Sequence, residues 1–380
     1  MKVELLSNEI DIKSYLKDLG VDGGGINILA SKAKIHLVAI HELPVGAANI
    51  LKQDALSIGA DLAVPRGTVI AKEPKVDCLL IASTKELSIL AKKELAQPFG
   101  LKDVASKLKQ IAQIQKPTHT KIMGVINAND DSFFHASRFK KNDAIKKIQK
   151  MIEEGADIID IGAVSSRPNA PVVSVEEELA RIDAILQLIN EQKLYEKALF
   201  SIDSYEPEVI KRAMDSGFKI INDITGLENE KVCQLAANYS ATVVIMHMQG
   251  KPQTMQDNPT YSDLLDDLYT FFQERIGKAE SFGIENIILD IGIGFGKTLE
   301  HNLMLLKHLE YFLMLQKPLL VGASRKSLID TIFPSVVDKR LAGTLALHLE
   351  SVKNGASIVR VHDVYEHAQA LSVQEALSKI

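Results

Sequence analysis

The sequence predicts an α/β protein: a closed (β/α)8 barrel of the TIM-barrel class, preceded by a small α/β domain. From Lys121 onward, eight short apolar runs alternate with eight helical patterns in about 260 residues, which is the usual length of such a barrel. A chain of 380 residues is also too long for one average domain. We therefore predict domains at 1–116 and 117–380.

The first 116 residues have the pattern of a small α/β domain, whose role the sequence leaves open. Strands are predicted at Ile35–His41 and Cys78–Ala82, and helices at Ala47–Ile58, Thr84–Leu95 and Leu101–Ile114. Gly23–Gly25 and Pro65–Gly67 interrupt this pattern and predict turns. The run KPTHTK at 116–121 is the predicted linker to the barrel.

The second domain repeats one unit, a buried strand followed by a helix. Strands are predicted to begin near Lys121, Asp157, Leu199, Lys219, Thr242, Asn286, Pro318 and Ser357. Helices are predicted at Asp143–Glu154, Ser174–Asn190, Pro207–Asp215, Glu228–Ala237, Tyr261–Ser281, Glu300–Leu315, Lys339–Asn354 and Tyr365–Lys379. An open, doubly wound sheet is the alternative, but it normally has fewer parallel strands and a first-turn dinucleotide fingerprint, which this sequence lacks.

Composition excludes several classes of protein. Hydrophobic residues make up 46% of the chain, enough for a sizeable core, and the net charge of −5 argues against a nucleic-acid-coating surface. Two distant cysteines provide no disulfide framework and suit a reducing compartment. No signal peptide or long apolar run is present. We expect a cytoplasmic protein with neither nucleic acid nor membrane as a partner.

One glycine-rich stretch, Glu285–Thr298, predicts a ligand-binding loop. A buried strand ends on Asp290, and glycines follow at every second position up to Gly296, before Lys297. Such glycines allow backbone N–H groups to approach a ligand closely. The stretch is not a Walker A loop, because Ile291 stands where its first glycine is needed. The plainer alternative is a βα turn with a capping aspartate.

Polar side chains follow all eight predicted strands. They are Asn127 and Asp131; Ser165, Ser166 and Arg167; Asp203; Asn222 and Asp223; His247; Asp290; Ser324, Arg325, Lys326 and Ser327; and Arg360, His362 and Asp363. The carboxyl ends of barrel strands open on one face, where active sites are built. Any one of these residues could be a cap, but the whole set is better explained by a site.

The chemistry of this set indicates a charged heterocyclic ligand. Asp203, Asn222 and Asp290 offer acceptors and an amide to a ring with several N–H groups. The amide of Asn127 is an oxygen ligand for Mg²⁺ beside substrate phosphates. Positive charge suited to a phosphate comes from Arg167, Lys326, Arg360 and His362. No Ser-His-Asp order or histidine-rich cage emerges, which argues against hydrolysis through a covalent serine or zinc.

Long motifs in this domain resemble those of the dihydropteroate synthase family of pterin-binding barrels, from about Ile122 to Ala376. They are IMGVINANDDSF, GADIIDIGAVSSRP, FSIDSYEPEVIKRAM, KIINDITG, VIMHMQGKPQTMQ, ILDIGIGFGKTLEHNL, VGASRKSLI, RLAGTLA and GASIVRVHDV. The resemblance implies a transferase of folate biosynthesis. It would condense 6-hydroxymethyl-7,8-dihydropterin pyrophosphate with p-aminobenzoate, by an SN1-like route, to 7,8-dihydropteroate and pyrophosphate. It also implies Mg²⁺, a homodimer and sulfonamide sensitivity.

The same resemblance assigns roles to individual residues. The implied pterin-binding residues are Asp203, Asn222, Met246, Asp290, Lys326 and Arg360. The implied p-aminobenzoate site comprises Ser166, Arg167, Pro168, Phe295 and Ser327, together with Lys326. The implied pyrophosphate pocket comprises Asn127 with its Mg²⁺, Arg360 and His362. Asp131, Arg167 and Lys326 are the implied catalytic residues, and the first and second loops, with Asp131 and Arg167, would close over the intermediate.

The chain departs from the family pattern in its loops, which raises two alternatives. Asn129 and Asp130 replace a Thr-Pro pair, Val164 replaces a Glu, and Ile291 replaces a Pro. These changes put loop closure and sulfonamide affinity in question. One alternative is a catalytically degenerate pterin-binding protein. The other is a methyltransferase acting on methyltetrahydrofolate, which should lack the Ser-Arg-Lys-Ser loop and the RVHDV strand.

Overall fold

The computed structural model describes residues 1–128, 138–164, 173–250 and 254–378. The chain divides into two compact units, Met1–Gln115 with Glu375–Ile380, and Lys116–Gln374. Separate clusters of buried apolar side chains lie in the two units. No helix in the described part of the chain is both long enough and apolar enough to cross a bilayer.

The first unit is a three-stranded antiparallel sheet with helices. Its elements are α1 (Ile12–Asp18), α2 (Gly23–Ala33), β1 (Ile35–Pro44), α3 (Val45–Leu56), β2 (Asp61–Ala63), β3 (Lys75–Ser83), α4 (Thr84–Lys93) and α5 (Leu101–Ala112). The strand order is β1-β3-β2. Alternate residues of β3, such as Leu80, join the core with Leu51 of α3 and Leu87 of α4. The predicted small α/β unit is therefore present.

Some local predictions in this unit are wrong. Gly23–Gly25 were predicted to form a turn, but they open α2, because the side chain of Asp22 accepts a hydrogen bond from the Gly24 N–H at 2.9 Å and caps the helix. Helix α1 was not predicted, although Ile12, Tyr15, Leu16 and Leu19 have helical spacing; none of the residues of this helix is buried.

The second unit is the predicted barrel. Its strands are β4 (Lys121–Asn127), β5 (Ile158–Gly162), β6 (Leu199–Asp203), β7 (Ile220–Asp223), β8 (Thr242–Met246), β9 (Ile287–Asp290), β10 (Leu319–Val321) and β11 (Ile358–Val361). They close in the order β10-β11-β4-β5-β6-β7-β8-β9, with parallel pairing throughout. The closed ring confirms the barrel and excludes the open doubly wound sheet.

The helices follow the strands around the barrel. They are α6 (Arg138–Glu153), α7 (Val175–Glu191), α8 (Pro207–Asp215), α9 (Glu230–Asn238), α10 (Leu264–Ser281), α11 (Leu299–Lys307), α12 (Ser327–Ile332), α13 (Leu341–Lys353) and α14 (Val364–Ser378). The prediction of one helix at Glu300–Leu315 is wrong in its second half. His308 leaves the helical region (φ −106°, ψ 25°), and Leu309–Leu315 continues as a 3₁₀ helix.

A layer of apolar side chains fills the barrel interior below the strand ends. It contains Met123, Ile158, Ile220, Val244, Ile288, Leu320 and Ile358, all buried. Side chains alternate between the two faces of a strand, so residues two positions later point to the same side. In five of the strands those residues are Asp160, Asn222, Met246, Asp290 and Arg360. The apolar layer therefore sets the direction of the polar side chains above it.

Candidate active site

An arginine held between two aspartates lies at the centre of the site. The Arg360 Nε donates to Asp160 Oδ2 at 2.6 Å, and its Nη2 lies 2.6 Å from both Asp160 Oδ2 and Asp203 Oδ2. The amide of Asn222 donates to the same Asp160 oxygen at 3.2 Å. Four strands, β5, β6, β7 and β11, thus contribute to one polar cluster (Asp160, Asp203, Asn222 and Arg360), which we call the central cluster.

Burial sets the electrostatics of the central cluster. It raises the pKa of Asp203 to about 7, with Arg360 opposing the rise and Asp160 adding to it. Burial lowers the pKa of Arg360, but Asp160 and Asp203 outweigh this and raise it above its ordinary value. Asp160 is completely buried, and Arg360 and Asn222 supply hydrogen bonds to its Oδ2, while its Oδ1 has no hydrogen-bond partner among the described residues.

The glycine loop after β9 shapes the next part of the site. The Gly292 N–H donates to Asp290 Oδ1 at 2.8 Å and fixes that carboxylate at the strand end. A side chain at Gly292 (φ 64°) would place its Cβ 1.9 Å from the carbonyl oxygen of His247. Only glycine therefore fits here, and the loop lies directly against the end of β8. Burial raises the pKa of Asp290, while the nearby Lys326 lowers it.

A buried lysine, Lys297, holds this loop in place through hydrogen bonds. The Lys297 ammonium donates to the carbonyl oxygens of Phe295 (3.0 Å) and His247 (3.3 Å) and lies 3.0 Å from His247 Nδ1. Burial lowers the pKa of Lys297 to about 7 and that of His247 to about 2, so the imidazole is neutral and accepts. His247, predicted as a strand-end site residue, thus lies against the lysine that supports the loop.

Lys326 lies where the loop after β10 meets the loop after β9. Its ammonium donates to the Ile293 carbonyl and lies 4.5 Å from the centroid of the Phe295 ring. Burial lowers the pKa of Lys326 to about 8, while Asp290 raises it. The predicted pair of Lys326 and Phe295 is therefore brought together beside Asp290.

The loops after β10 and β11 meet through two side-chain pairs. The Ser324 hydroxyl accepts from the His362 N–H at 3.2 Å and lies 2.9 Å from His362 Nδ1. Burial lowers the pKa of His362 to about 4, so its ring is neutral near pH 7 and the prediction that it supplies positive charge is wrong. Arg325 binds both carboxylate oxygens of Asp363, at 3.0 and 2.5 Å. Arg325 and Asp363, two of the strand-end residues, thus pair with each other.

The remaining predicted residues fall into three groups. Asn127 and Met246 end β4 and β8 at the site, half-buried and buried respectively. Ser327 is the exposed first residue of α12, and Asp223 caps its own loop through Thr225 and Leu227. Five predicted site residues lie outside the described residues: Asp131, Ser165, Ser166, Arg167 and Pro168.

Sequence reasoning missed Asp160 as a site residue. It lies inside the strand run IIDIG, two residues before that strand ends. The available signal was a carboxylate within a continuous apolar run, since a buried charge needs a partner. That partner, Arg360, lies 200 positions further along the chain, so no local sequence pattern identifies it.

Comparison with known proteins places this site in a family. A family model described as "Pterin binding enzyme" matches residues 123–362. A Helicobacter pylori protein named bifunctional dihydropteroate synthase/dihydropteroate reductase is 43% identical over 97% of both chains. A Haemophilus influenzae dihydropteroate synthase is 41% identical over 67% of this chain and 93% of its own. A Halobacterium salinarum protein, named probable bifunctional folylpolyglutamate synthase/dihydropteroate synthase, is 34% identical over 96% of this chain and 46% of its own.

Solved structures agree with these relatives. A Yersinia pestis dihydropteroate synthase with a sulfonamide drug complex covers 69% of this chain and 96% of its own, with 36% identity and a TM-score of 0.65. A Clostridium difficile dihydropteroate synthase in the presence of pteroic acid covers 70% of this chain and 99% of its own, with 35% identity and a TM-score of 0.64. A Xanthomonas albilineans dihydropteroate synthase with 4-aminobenzoic acid covers 69% and 94%, with 35% identity and a TM-score of 0.63.

We expect Arg360→Met to lower the free energy of unfolding by about 3 kcal/mol, because it leaves the buried Asp160 carboxylate without its cation. Urea unfolding at pH 7.5 measures this. The matched control is Arg212→Met, which breaks a 2.6 Å pair with Asp183 whose side chains are 41% and 50% exposed; its loss should be below about 1 kcal/mol. Adding Asp160→Asn to Arg360→Met should restore part of the stability, and equal losses in the two single variants would contradict the argument.

Proposed function

The chain belongs to the family of pterin binding enzymes, and we propose below how its residues carry out the reaction. It acts as a transferase of the dihydropteroate synthase type. That reaction condenses 6-hydroxymethyl-7,8-dihydropterin pyrophosphate with p-aminobenzoate and yields 7,8-dihydropteroate and pyrophosphate. This proposal rests on one observation. Five polar side chains converge at one end of the barrel, inside the segment that the family model matches: Asp203, Asn222, Asp290, Lys326 and Arg360.

In this proposal the pterin ring binds above the apolar layer, among Asp203, Asn222 and Asp290. The ring presents N–H donors, and buried carboxylate and amide oxygens are suitable acceptors for them. The buried side chain of Met246 would form an apolar wall of the slot. Asp290 is held in place by Gly292, so one face of the slot exists before the ligand arrives.

Bond breaking would come first. The carbon–oxygen bond to the pyrophosphate breaks, the electron pair leaves with the oxygen, and positive charge develops on the pterin. The carboxylates of Asp203 and Asp290 would stabilise that charge, while Arg360, Lys326 and the polar His362 ring would stabilise the leaving group. The amine nitrogen of p-aminobenzoate then forms the new bond to carbon and releases its proton, so no strong general base is required.

For the second substrate, we propose a site beside Phe295 and Ser327. Lys326 lies over the Phe295 ring, so its ammonium would be available to the p-aminobenzoate carboxylate at the edge of the pterin slot. The roles of Ser166, Arg167 and Pro168 at this site, and of Asp131 in closing it, are proposals based on the family resemblance. Sulfonamide sensitivity is likewise proposed, since such drugs would occupy the p-aminobenzoate position.

Magnesium is proposed as a cofactor held mainly by the substrate. The half-buried Asn127 amide at the end of β4 fits a hard cation, and Mg²⁺ commonly takes few protein ligands when phosphate oxygens supply the others. When bound, Mg²⁺ would neutralise negative charge on the pyrophosphate. Asn127 would orient that complex toward Arg360 and His362.

A cytoplasmic location is also proposed; the two buried, unpaired cysteines agree with it.

The first test of the proposed chemistry is pyrophosphate release from the dihydropterin substrate with Mg²⁺, with and without p-aminobenzoate. Release should depend on p-aminobenzoate and yield dihydropteroate. Lys326→Met should lower kcat/KM at least about a hundredfold, because it removes a cation from the leaving group. The exposed Lys307, which pairs with Glu350 on the barrel exterior, is the control, and Lys307→Met should change little. Tight pterin binding without turnover in the unaltered protein would instead favour a degenerate binder.

We further propose a homodimer through the barrel helices α13 and α14 and the segment before α13. Phe333 (74% exposed) and Val336 (70%) line a cavity of about 610 Å³ with Ile329 and Ala342, and Tyr365 adds exposed apolar surface. Apolar groups concentrated in this way favour burial against a second copy.

Light scattering should therefore give twice the chain mass of 41.8 kDa for the unaltered protein. The double variant Phe333→Glu/Val336→Glu should shift it toward the monomer, because each charge would be desolvated in the interface. The control is Val69→Glu, at an equally exposed valine of the first unit, which should leave the mass unchanged. A monomeric unaltered protein would overturn this proposal.

A second activity, reduction of dihydropteroate, is proposed for the whole chain. The observation that favours it is that the Helicobacter pylori relative, whose name includes a reductase, matches 97% of this chain and therefore extends well into the first unit. That unit has its own buried core, as expected for a domain with its own role. The Halobacterium salinarum relative matches nearly as much of this chain and has no reductase in its name.

The reduction would add a hydride to C6 and a proton to N5 of 7,8-dihydropteroate. A reduced nicotinamide or reduced flavin would supply the hydride and be oxidised by two electrons. We expect full-length protein to form tetrahydropteroate when given dihydropteroate and NADPH or NADH, with and without added flavin, as followed by chromatography. A chain of residues 117–380, the proposed barrel domain, should retain synthase activity and lose reduction. Absence of any tetrahydropteroate with full-length protein would remove the second activity and leave the first intact.

A further inference from the structure

Two buried histidines link the loop after β10, which carries Lys326, to the loop after β11, which carries His362. His348 lies on α13 and His367 on α14, and each is 1% exposed. The Ala323 N–H donates to His348 Nε2 at 3.0 Å, His348 Nδ1 lies 2.9 Å from His367 Nε2, and His367 Nδ1 lies 2.6 Å from the Asp363 carbonyl oxygen. One continuous chain of hydrogen bonds thus runs from the loop after β10 to the loop after β11.

The two ends of this chain of hydrogen bonds determine which ring nitrogens of His348 and His367 carry a proton. A backbone N–H can only donate, so His348 Nε2 is unprotonated; a carbonyl oxygen can only accept, so His367 Nδ1 carries a proton. Between them, His348 Nδ1 must donate to His367 Nε2. Both rings are therefore neutral and both are in the Nδ1–H form, and an additional proton would set two hydrogens against each other.

Helix α13 and Arg340, the N-cap residue before it, hold the same loop at two further points. Thr344 Oγ1 accepts from the Arg325 N–H at 2.9 Å, and Arg340 Nη1 donates to the Arg325 carbonyl oxygen at 3.1 Å. Arg340, Thr344 and His348 are spaced four residues apart and so lie on one face of the helix. Arg325 has a left-handed backbone (φ 56°), a conformation that persists only where its surroundings fix it.

The two connected loops carry the groups assigned to the substrate. Lys326 follows the fixed Arg325 directly, and His362 stands between Arg360 and Asp363 on the other loop. Neither histidine touches the proposed substrate position, since both lie on helices outside the strands. Their effect on the reaction must therefore act through the loops.

We propose that His348 and His367 are positioning residues, which lock the loops after β10 and β11 together and so set the spacing between Lys326 and the pair of Arg360 and His362. This inference rests on the proposed synthase function. The pterin and pyrophosphate parts of one substrate must reach both loops at once, and a displacement of about 1 Å in such a site reduces rate by up to a hundredfold.

The kinetic test uses variants of His348 in the full chain. His348→Leu should lower kcat/KM for the dihydropterin pyrophosphate by about tenfold to a hundredfold, through both kcat and KM. The KM for p-aminobenzoate should rise less than the KM for the dihydropterin pyrophosphate, because, of these two loops, p-aminobenzoate contacts only the one after β10, at Lys326 and Ser327. His348→Gln places an amide oxygen where Nε2 accepts from Ala323 and should recover activity to within a factor of about three. His348→Asn, which keeps only the Nδ1 position, should recover less.

The control for general destabilisation is Ser351→Ala. Ser351 is fully buried on the same helix, but its hydroxyl donates to the carbonyl oxygen of Leu347 in that helix and not to a loop. This variant should have wild-type kinetics. A spectroscopic measurement tests the proton positions directly: two-bond ¹H–¹⁵N spectra of histidine-labelled protein should contain two neutral Nδ1–H rings. In His348→Leu the signal of His348 should be absent and that of His367 should change.

The outcomes separate the inference from the proposed function. An inactive wild type would overturn the synthase function and this inference with it. If the wild type is active, two results would overturn the inference alone. The first is a His348→Leu variant that keeps its kcat/KM. The second is an equal loss of kcat/KM in His348→Leu, His348→Gln and Ser351→Ala. Nε2–H forms for the two rings would also overturn it.

Discussion

The pairing of Arg360 with Asp160 and Asp203 is the interaction on which the rest of the barrel depends. Arg360 is on β11, and the two carboxylates are on β5 and β6, so the three groups meet only when the ring of strands is closed. Removing charges from water, completely for Asp160 and in large part for Arg360 and Asp203, is expensive, and the loss is offset only when geometry and hydrogen bonds are good. A partly formed barrel would leave the charge of Asp160 in an apolar interior. The central cluster therefore favours the complete barrel over open arrangements of the same strands.

The apolar layer below the central cluster explains why the polar side chains point inward. Strands have a period of two, so a buried isoleucine at one position directs the residue two places on to the same side. Ile158 precedes Asp160 in this way, and Ile358 precedes Arg360. A one-residue slip in register would turn each charge outward and expose the layer at the same time. Packing and site geometry are thus determined by one constraint.

The loops above the central cluster are fixed by helices and by buried cations. Lys297 bonds the ends of two βα units together, and Thr344 of α13 and the preceding Arg340 hold the N–H and the carbonyl of Arg325. Such supports let Lys326 and Asp290 remain close although each is desolvated. In the proposed reaction that closeness matters, because charge separates quickly when pyrophosphate leaves and a preorganised site needs no rearrangement.

The amino-acid sequence by itself determined the barrel, since eight strand and helix patterns have a local period that can be read along the chain. It also predicted Asp203, Asn222, Asp290, Lys326 and Arg360 as site residues, because each stands near a strand's carboxyl end. Only the tertiary structure decided which of these groups are paired. Asp160 lies 200 positions from Arg360, and His348 lies 19 from His367, on a different helix. Contacts of this kind depend on how the ring of strands closes and how the helices pack. They cannot be predicted from the periodicity of residues along the chain.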